Sequence, residues 1–282
     1  MLNDELAQYG VLFFRDLPIG SVEDFDAFAK AFRYPIEEYV GGGGPRIKLY
    51  GNVLTSTESP PEYTIPFHHE MAYLANYPKR LFFGCEIAPQ EGGETPVLLS
   101  SALFEKIESV LPVFIGTLRE KGVRYIREVG SRRALDFNPD YQKSWEHIFG
   151  TDDRQEAELL ARECGTEIVE WMENDTMKLV SQIFPGFFED DRTPGKTSWF
   201  NSILLLHKAM NPVERGKHWD VVFGDYTPIE DEHVLKVSEL MKEFYTALQW
   251  EEGDVMIVDN MLAMHSRNSF TPPRSIWATM YS

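Results

Sequence analysis

Two imidazoles and a carboxylate crowd one short segment, Pro66-Phe67-His68-His69-Glu70-Met71-Ala72-Tyr73. On an extended backbone the side chains at i and i+2 share a face, so His68 and Glu70 point one way and His69 the other. A histidine and a carboxylate converging on one side are two members of a 2-His-1-carboxylate triad. That triad leaves three coordination positions open and suits non-heme Fe(II) oxygen chemistry. The same residues nearly spell a zinc metallohydrolase motif. His69-Glu70-x-x-Tyr73 lacks the second histidine, however, and the motif needs a helix to bring both imidazoles to one face. His-x-Glu alone occurs by chance in many chains, so a third ligand has to come from a distant strand.

The chain has seven histidines. His147, His218 and His233 lie in polar segments and are expected to be solvated, whereas His207 ends an apolar run and reads as a core residue. His265 follows an apolar strand and, taken alone, reads as structural. Its neighbour in sequence, Arg274 in Pro272-Pro273-Arg274-Ser275-Ile276, makes it a candidate, because a planar guanidinium can clamp a carboxylate with charge-assisted, often bidentate contacts.

The elements that must position these groups follow from periodicity and turn signals. Strands are expected over 10–14, 47–54, 81–87, 95–99, 123–128, 167–172, 178–183, 199–206, 254–258 and 275–281. A helix opens at Ser21 with Asp24 in the capping-box position, and others are expected over 102–120, 155–164 (stopped by Gly165) and 231–248. Gly41 to Gly44 reads as a flexible loop beside a binding site; without a following Gly-Lys-Ser/Thr it is not a phosphate-binding P-loop. Many short strands with a few helices point to one β-sandwich or barrel decorated with helices.

At 282 residues, with 43% hydrophobic and 26% charged residues, the chain can bury a sizeable core and is not globally disordered. Its 45 acidic residues outnumber 27 Lys and Arg, for a net charge of −18, which repels phosphate backbones and anionic membranes; no nucleic-acid or membrane partner is expected. Cys85 and Cys164 fit buried reduced thiols rather than a disulfide framework. The opening residues show neither a basic nor an apolar signal-peptide region, and a soluble, cytoplasmic setting is expected.

Taken in order, His68-x-Glu70, Gly92-Gly93-Glu94-Thr95-Pro96 and Asp259-Asn260 followed by His265 and Pro273-Arg274 resemble the taurine dioxygenase/clavaminate synthase-like family of Fe(II)/2-oxoglutarate oxygenases. Thr57-Glu58-Ser59-Pro60-Pro61, Leu81-Phe82-Phe83, Trp199-Phe200-Asn201-Ser202 and His265-Ser266-Arg267 are similar to its plant clavaminate synthase-like branch. The similarity runs from about residue 10 to the end of the chain, and motifs spread so widely are more specific than any one of them. The resemblance implies a mainly β fold with helices, a double-stranded β-helix (jelly roll) with helical insertions, forming one domain over 1–282 because His68 and His265 must meet at one metal. It implies that His68, Glu70 and His265 hold Fe(II), and that Arg274 and Thr95 bind the far carboxylate of the cosubstrate 2-oxoglutarate. O2 is the second cosubstrate, and the expected reaction oxidises, by default hydroxylates, an unactivated C–H bond of a small polar metabolite such as an amino acid or small acid, releasing succinate and CO2. Arg46, Asn201 and Arg267 are the candidates to contact that substrate.

Two features depart from the wider family: Glu stands where Asp is usual, which also argues against halogenation, and an early strand present in relatives is not evident before the first helix. The alternative from another class is a jelly-roll metabolite-binding protein without turnover.

Overall fold

The computed structural model describes residues 2–44, 46–134, 143–192, 194–210 and 219–282; His218 lies outside them. The apolar run expected over 81–87 forms the strand Arg80–Ile87 inside a six-stranded antiparallel sheet. The sheet order is Val11–Phe14, Val255–Asp259, Arg80–Ile87, Ser275–Tyr281, Val53–Thr55, Lys48–Tyr50. Successive residues of Arg80–Ile87 enter different cores. Leu81, Phe83 and Cys85 join the central one, while Phe82 packs on the opposite face with Phe25. Burial on both faces explains why this strand reads as a continuous apolar run rather than an alternation.

A three-stranded antiparallel sheet, in the order Ile65–His68, Ala263–Arg267, Val97–Leu99, sends Leu98 and Met264 into the same central core. Two sheets closing over one core, with helices packed outside, make the expected jelly roll. The helix Val22–Lys30 covers the outer face of the large sheet. Its start is capped reciprocally: Ser21 Oγ accepts from Asp24 N–H at 3.2 Å, and the Asp24 carboxylate accepts from Gly20 N–H at 3.2 Å. Phe25 is fully buried, worth about 1.5–3 kcal/mol, and it lies where a Cβ on Gly84 would approach its ring to 2.6 Å.

A four-stranded sheet, Trp219–Phe223, Val123–Val129, Met177–Ser181, Thr166–Trp171, and the ribbon of Phe187–Glu189 with Thr197–Trp199 complete the β-structure of the described residues. Four expected elements differ. The strand over 47–54 is two, Lys48–Tyr50 and Val53–Thr55, paired antiparallel across a turn at Gly51, whose φ is 52°. The helix over 102–120 is two, Ser100–Val110 and Pro112–Lys121, because Pro112 cannot donate within a helix but suits its first turn. The helix begun at Asp231 ends at Met241 rather than 248. The strand over 199–206 stops at Trp199, and Ile203–Leu206 is a short helix; four apolar residues in a row fit either state.

His147 is exposed, as expected. His207 is a core residue whose Nε2 donates to Ile229 O at 2.9 Å. His233 is half-buried rather than fully solvated; its ring stacks on Phe114 with centroids 5.0 Å apart. Both cysteines are buried and unpaired, and burial pushes the Cys85 thiol up to about 12. Among the described residues no helix is long and apolar enough to cross a membrane.

Candidate metal centre

His68 is the last residue of its strand and pairs directly with His265 on the neighbouring strand, so both rings lie on one face with centroids 4.3 Å apart. Glu70 lies beyond the strand, in the turn that follows, so its approach to His68 is not the simple i, i+2 alternation of an extended segment. The chain bends there, with Met71 at φ 56°, a conformation uncommon for a residue with a side chain. Asn260 sustains the bend: its Oδ1 accepts from Glu70 N–H at 2.8 Å, and its Nδ2 donates to Glu70 O at 3.0 Å and Pro78 O at 2.7 Å. Asn260 stood within the Asp259-Asn260 motif, but nothing in the sequence assigned it this clamp.

Glu70 Oε2 lies 3.9 Å from His68 Nε2 and 3.7 Å from His265 Nε2, and the three donor atoms fall within 4.8 Å of one another. His68 Nδ1 is 2.8 Å from Pro66 O; donating there leaves the Nε2 lone pair aimed at the centre. Burial, helped by nearby His68, pushes His265 down to about 4. Burial alone would raise the Glu70 carboxyl, but Arg46 and the two imidazoles outweigh it and hold the group well below the usual carboxylate range. A charged carboxylate facing the neutral His265 imidazole suits a divalent ion, which takes a carboxylate and an unprotonated ring. Two nitrogens and one oxygen, with no thiolate, suit Fe(II) and related ions.

His69 turns the other way, into the core. Its Nδ1 donates to Asn260 O at 2.5 Å, and its Nε2 lies 3.0 Å from Ser100 Oγ and 2.7 Å from Trp199 O.

A pocket opens from the two metal-facing histidines towards Arg274 and Thr95. Arg274 Nε donates to Gly93 O at 2.8 Å, and its Nη2 lies 3.4 Å from Thr95 Oγ1, which also accepts from Trp250 Nε1 at 3.2 Å. Trp250 carried no signal in the sequence. No carboxylate among the described residues forms an ion pair with Arg274, and burial, with Arg267 nearby, lowers its guanidinium to about 10. A half-buried cation without a carboxylate partner, across a pocket from a metal centre, fits a chelating keto acid with a second carboxylate.

The Gly92–Gly93 turn sets Arg274's anchor. Both residues have positive φ, 70° and 69°, and a Cβ on Gly92 would sit 2.2 Å from Ser269 O. Gly92→Ala is therefore expected to destabilise the fold by about 2 kcal/mol or more, as a lowered unfolding midpoint in urea.

The three substrate candidates end up differently placed. Asn201 is buried away from the pocket, donating to Gly186 O at 2.7 Å and accepting from Ile203 N–H at 3.0 Å; it starts the short helix instead. Arg267 lines the pocket, yet its guanidinium donates to the carbonyls of Ser59, Pro60 and Tyr63 at 2.7–2.9 Å and so holds the 59–63 loop. Arg46 lines the pocket with its Nη2 2.9 Å from Glu70 Oε2.

Comparison with known proteins agrees with this geometry. Residues 1–280 match the family described as taurine catabolism dioxygenase TauD, TfdA family. The chain is 36% identical over 279 residues to a clavaminate synthase-like protein of Arabidopsis thaliana, covering 99% of this chain and 83% of that one. Its fold is similar to a taurine dioxygenase from Burkholderia xenovorans, with TM-score 0.56, 15% identity and 99% and 78% of the two chains covered. It is also similar to PvcB of Pseudomonas aeruginosa, an Fe, alpha-ketoglutarate-dependent oxygenase from an isonitrile synthetic pathway, with TM-score 0.53, 15% identity and coverage of 99% and 78%.

Proposed function

Because the chain belongs to the taurine catabolism dioxygenase TauD, TfdA family and is an Fe(II)/2-oxoglutarate-dependent dioxygenase, we propose that it hydroxylates a small polar metabolite, an amino acid or small acid, as a single domain over 1–282. The observation that carries this reading is the pairing of three converging donor atoms with an anion-seeking guanidinium across one pocket. His68, Glu70 and His265 would hold the iron; Arg274, with Thr95, would hold the far carboxylate of 2-oxoglutarate. Bound there, iron and 2-oxoglutarate supply oxidation of an unactivated C–H bond by O2, coupled to release of succinate and CO2.

The chain's own residues supply orientation. His68 is locked in one tautomer by Pro66 O, Asn260 fixes the backbone of Glu70, and Gly93 O sets the direction of the Arg274 side chain. Phe83, Ile65 and Ile276 line the pocket with apolar surface that keeps bulk water from the metal position. No side chain is required as a general base.

The test is anaerobic addition of Fe(II) and 2-oxoglutarate to the full chain. A weak visible metal-to-keto-acid absorption band should appear, fade on adding EDTA, and in air give way to succinate. Screening a metabolite panel for succinate and an oxygen mass gain then identifies the substrate. Absence of the band from fully loaded protein would overturn the assignment; a band without succinate from any panel member would favour a binding protein without turnover.

A further inference from the structure

Arg46, read from the sequence as a substrate contact, lines the pocket but turns its guanidinium onto Glu70. Its side chain is 3% exposed and its Nη2 is 2.9 Å from Glu70 Oε2, the same oxygen that faces His68 and His265. One carboxylate oxygen thus meets a guanidinium on one side and the metal position on the other. A carboxylate this buried needs a polar partner to hold its direction. Among the described residues Arg46 is the cation that ion-pairs with it.

Arg46 is itself held. Its guanidinium lies over the Tyr39 ring, 4.9 Å from the centroid, and the Tyr39 hydroxyl accepts from Gly44 N–H at 3.0 Å. The Tyr39 ring occupies the space beside Gly42, where a Cβ would come within 2.2 Å of it. Gly43 N–H donates to Tyr73 Oη at 2.8 Å, and Gly41 O accepts from Arg127. The glycine segment, expected as a flexible loop, is pinned at three residues and shaped to seat the Tyr39–Arg46 pair.

We propose that Arg46 is a positioning residue for the metal ligand Glu70. It holds the carboxylate aimed at the metal position before the ion arrives, and it occupies one side of Oε2 once the ion is bound. This rests on the metal-centre reading above. It also gives the unusual glutamate a reason: its extra methylene carries one oxygen far enough to meet Arg46 and the metal position together, which a shorter aspartate on the same backbone would not do.

The test is Mn(II) affinity, read from the electron paramagnetic resonance of the free ion, on full-length wild type, Arg46→Met, Arg46→Lys, Glu70→Asp and the Arg46→Met/Glu70→Asp double variant. Loss of an outer partner of a metal ligand typically costs about 10–100-fold in affinity, and Arg46→Met should lose that much. Arg46→Lys, which keeps the charge, should recover part of it. In the Glu70→Asp background, where the bridge is already broken, Arg46→Met should cost less than about threefold. Should Arg46→Met not fold, Arg46→Gln carries the same comparison. An unchanged Mn(II) affinity in Arg46→Met, or equal losses in both backgrounds with no recovery by lysine, would overturn the proposal and leave Arg46 a packing residue. Wild-type protein that takes up no Mn(II) would overturn the metal-centre reading and Arg46's role with it. Normal wild-type uptake beside an unaffected Arg46→Met would overturn Arg46's role alone.

Discussion

Arg274→Met should raise the Kd for 2-oxoglutarate roughly 30- to 1,000-fold while leaving Mn(II) uptake within a few-fold of wild type. Charge-assisted hydrogen bonds are worth about 1.5–3 kcal/mol each. A guanidinium that is only half-buried, here reaching a carboxylate with two of them, falls at about 2–4 kcal/mol in total, and each 1.4 kcal/mol is about tenfold in Kd. The side chain is fixed by Gly93 O and lies over the Phe270 ring at 5.5 Å, so little freedom is lost when an anion arrives. Arg274→Lys should recover only part of the loss, because an ammonium cannot offer the planar fork. Thr95→Val should cost less, about tenfold at most, since one neutral hydroxyl is removed and Trp250 Nε1 loses its acceptor. Titration calorimetry of 2-oxoglutarate into Mn(II)-loaded protein reads all three. Metal and keto-acid affinity falling together in Arg274→Met would mean that the residue supports the fold rather than the cosubstrate.

The second large effect separates two histidines in different roles. His265→Ala should abolish measurable Mn(II) binding and turnover with little change in the stability of the metal-free chain. Its Nδ1 has no hydrogen-bond partner, so the ring is held by packing against His68 and Phe83 rather than by polar contacts that support the fold. His69→Ala should do the reverse. It strips the buried carbonyl of Asn260 and the Ser100 hydroxyl of their partner and leaves a cavity, costing roughly 3–5 kcal/mol. Protein that still folds should bind Mn(II) near normally.

The same ring gives metal-free protein an acid sensitivity. Burial lowers His69 from 6.5 to about 3 although its two carbonyl neighbours pull upward, and His265 falls to about 4. Between those values and 6.5 the unfolded chain binds protons that the folded chain refuses. Stability is therefore full above about 6.5 and declines as pH falls through the folded values. Denaturant titrations from pH 7 to pH 4 should show a falling midpoint, with a shallower slope in His69→Ala. Parallel slopes would remove His69 from the explanation.

Local signals in the sequence were legible where local chemistry decides. Ser21 and Asp24 cap a helix because a hydroxyl and a carboxylate sit one turn from unpaired N–H groups. Gly165, at φ 89°, ends the helix Arg154–Glu163 because it alone enters that conformation cheaply. Pro112 was equally visible as a break, and its weight against a single helix over 102–120 is a local effect the apolar periodicity obscured. The 199–206 segment was not decidable locally. Its apolar run satisfies strand or helix, and the choice falls to Asn201, whose partner Gly186 lies on another segment.

For the centre itself, residue types alone pointed to His68 and Glu70, and the order of motifs, through its resemblance to a known family, added His265 and Arg274. The arrangement was settled elsewhere. His68 faces His265 because two strands far apart in sequence pair in one register, and Glu70 faces both because Asn260 bends the backbone outside that strand. Arg46, a surface-like arginine beside four glycines in the sequence, reaches the metal ligand only because Tyr39 and the pinned loop deliver it there. Such contacts join segments with no local influence on one another. Core packing and strand register select them together, so they exist only in the folded chain.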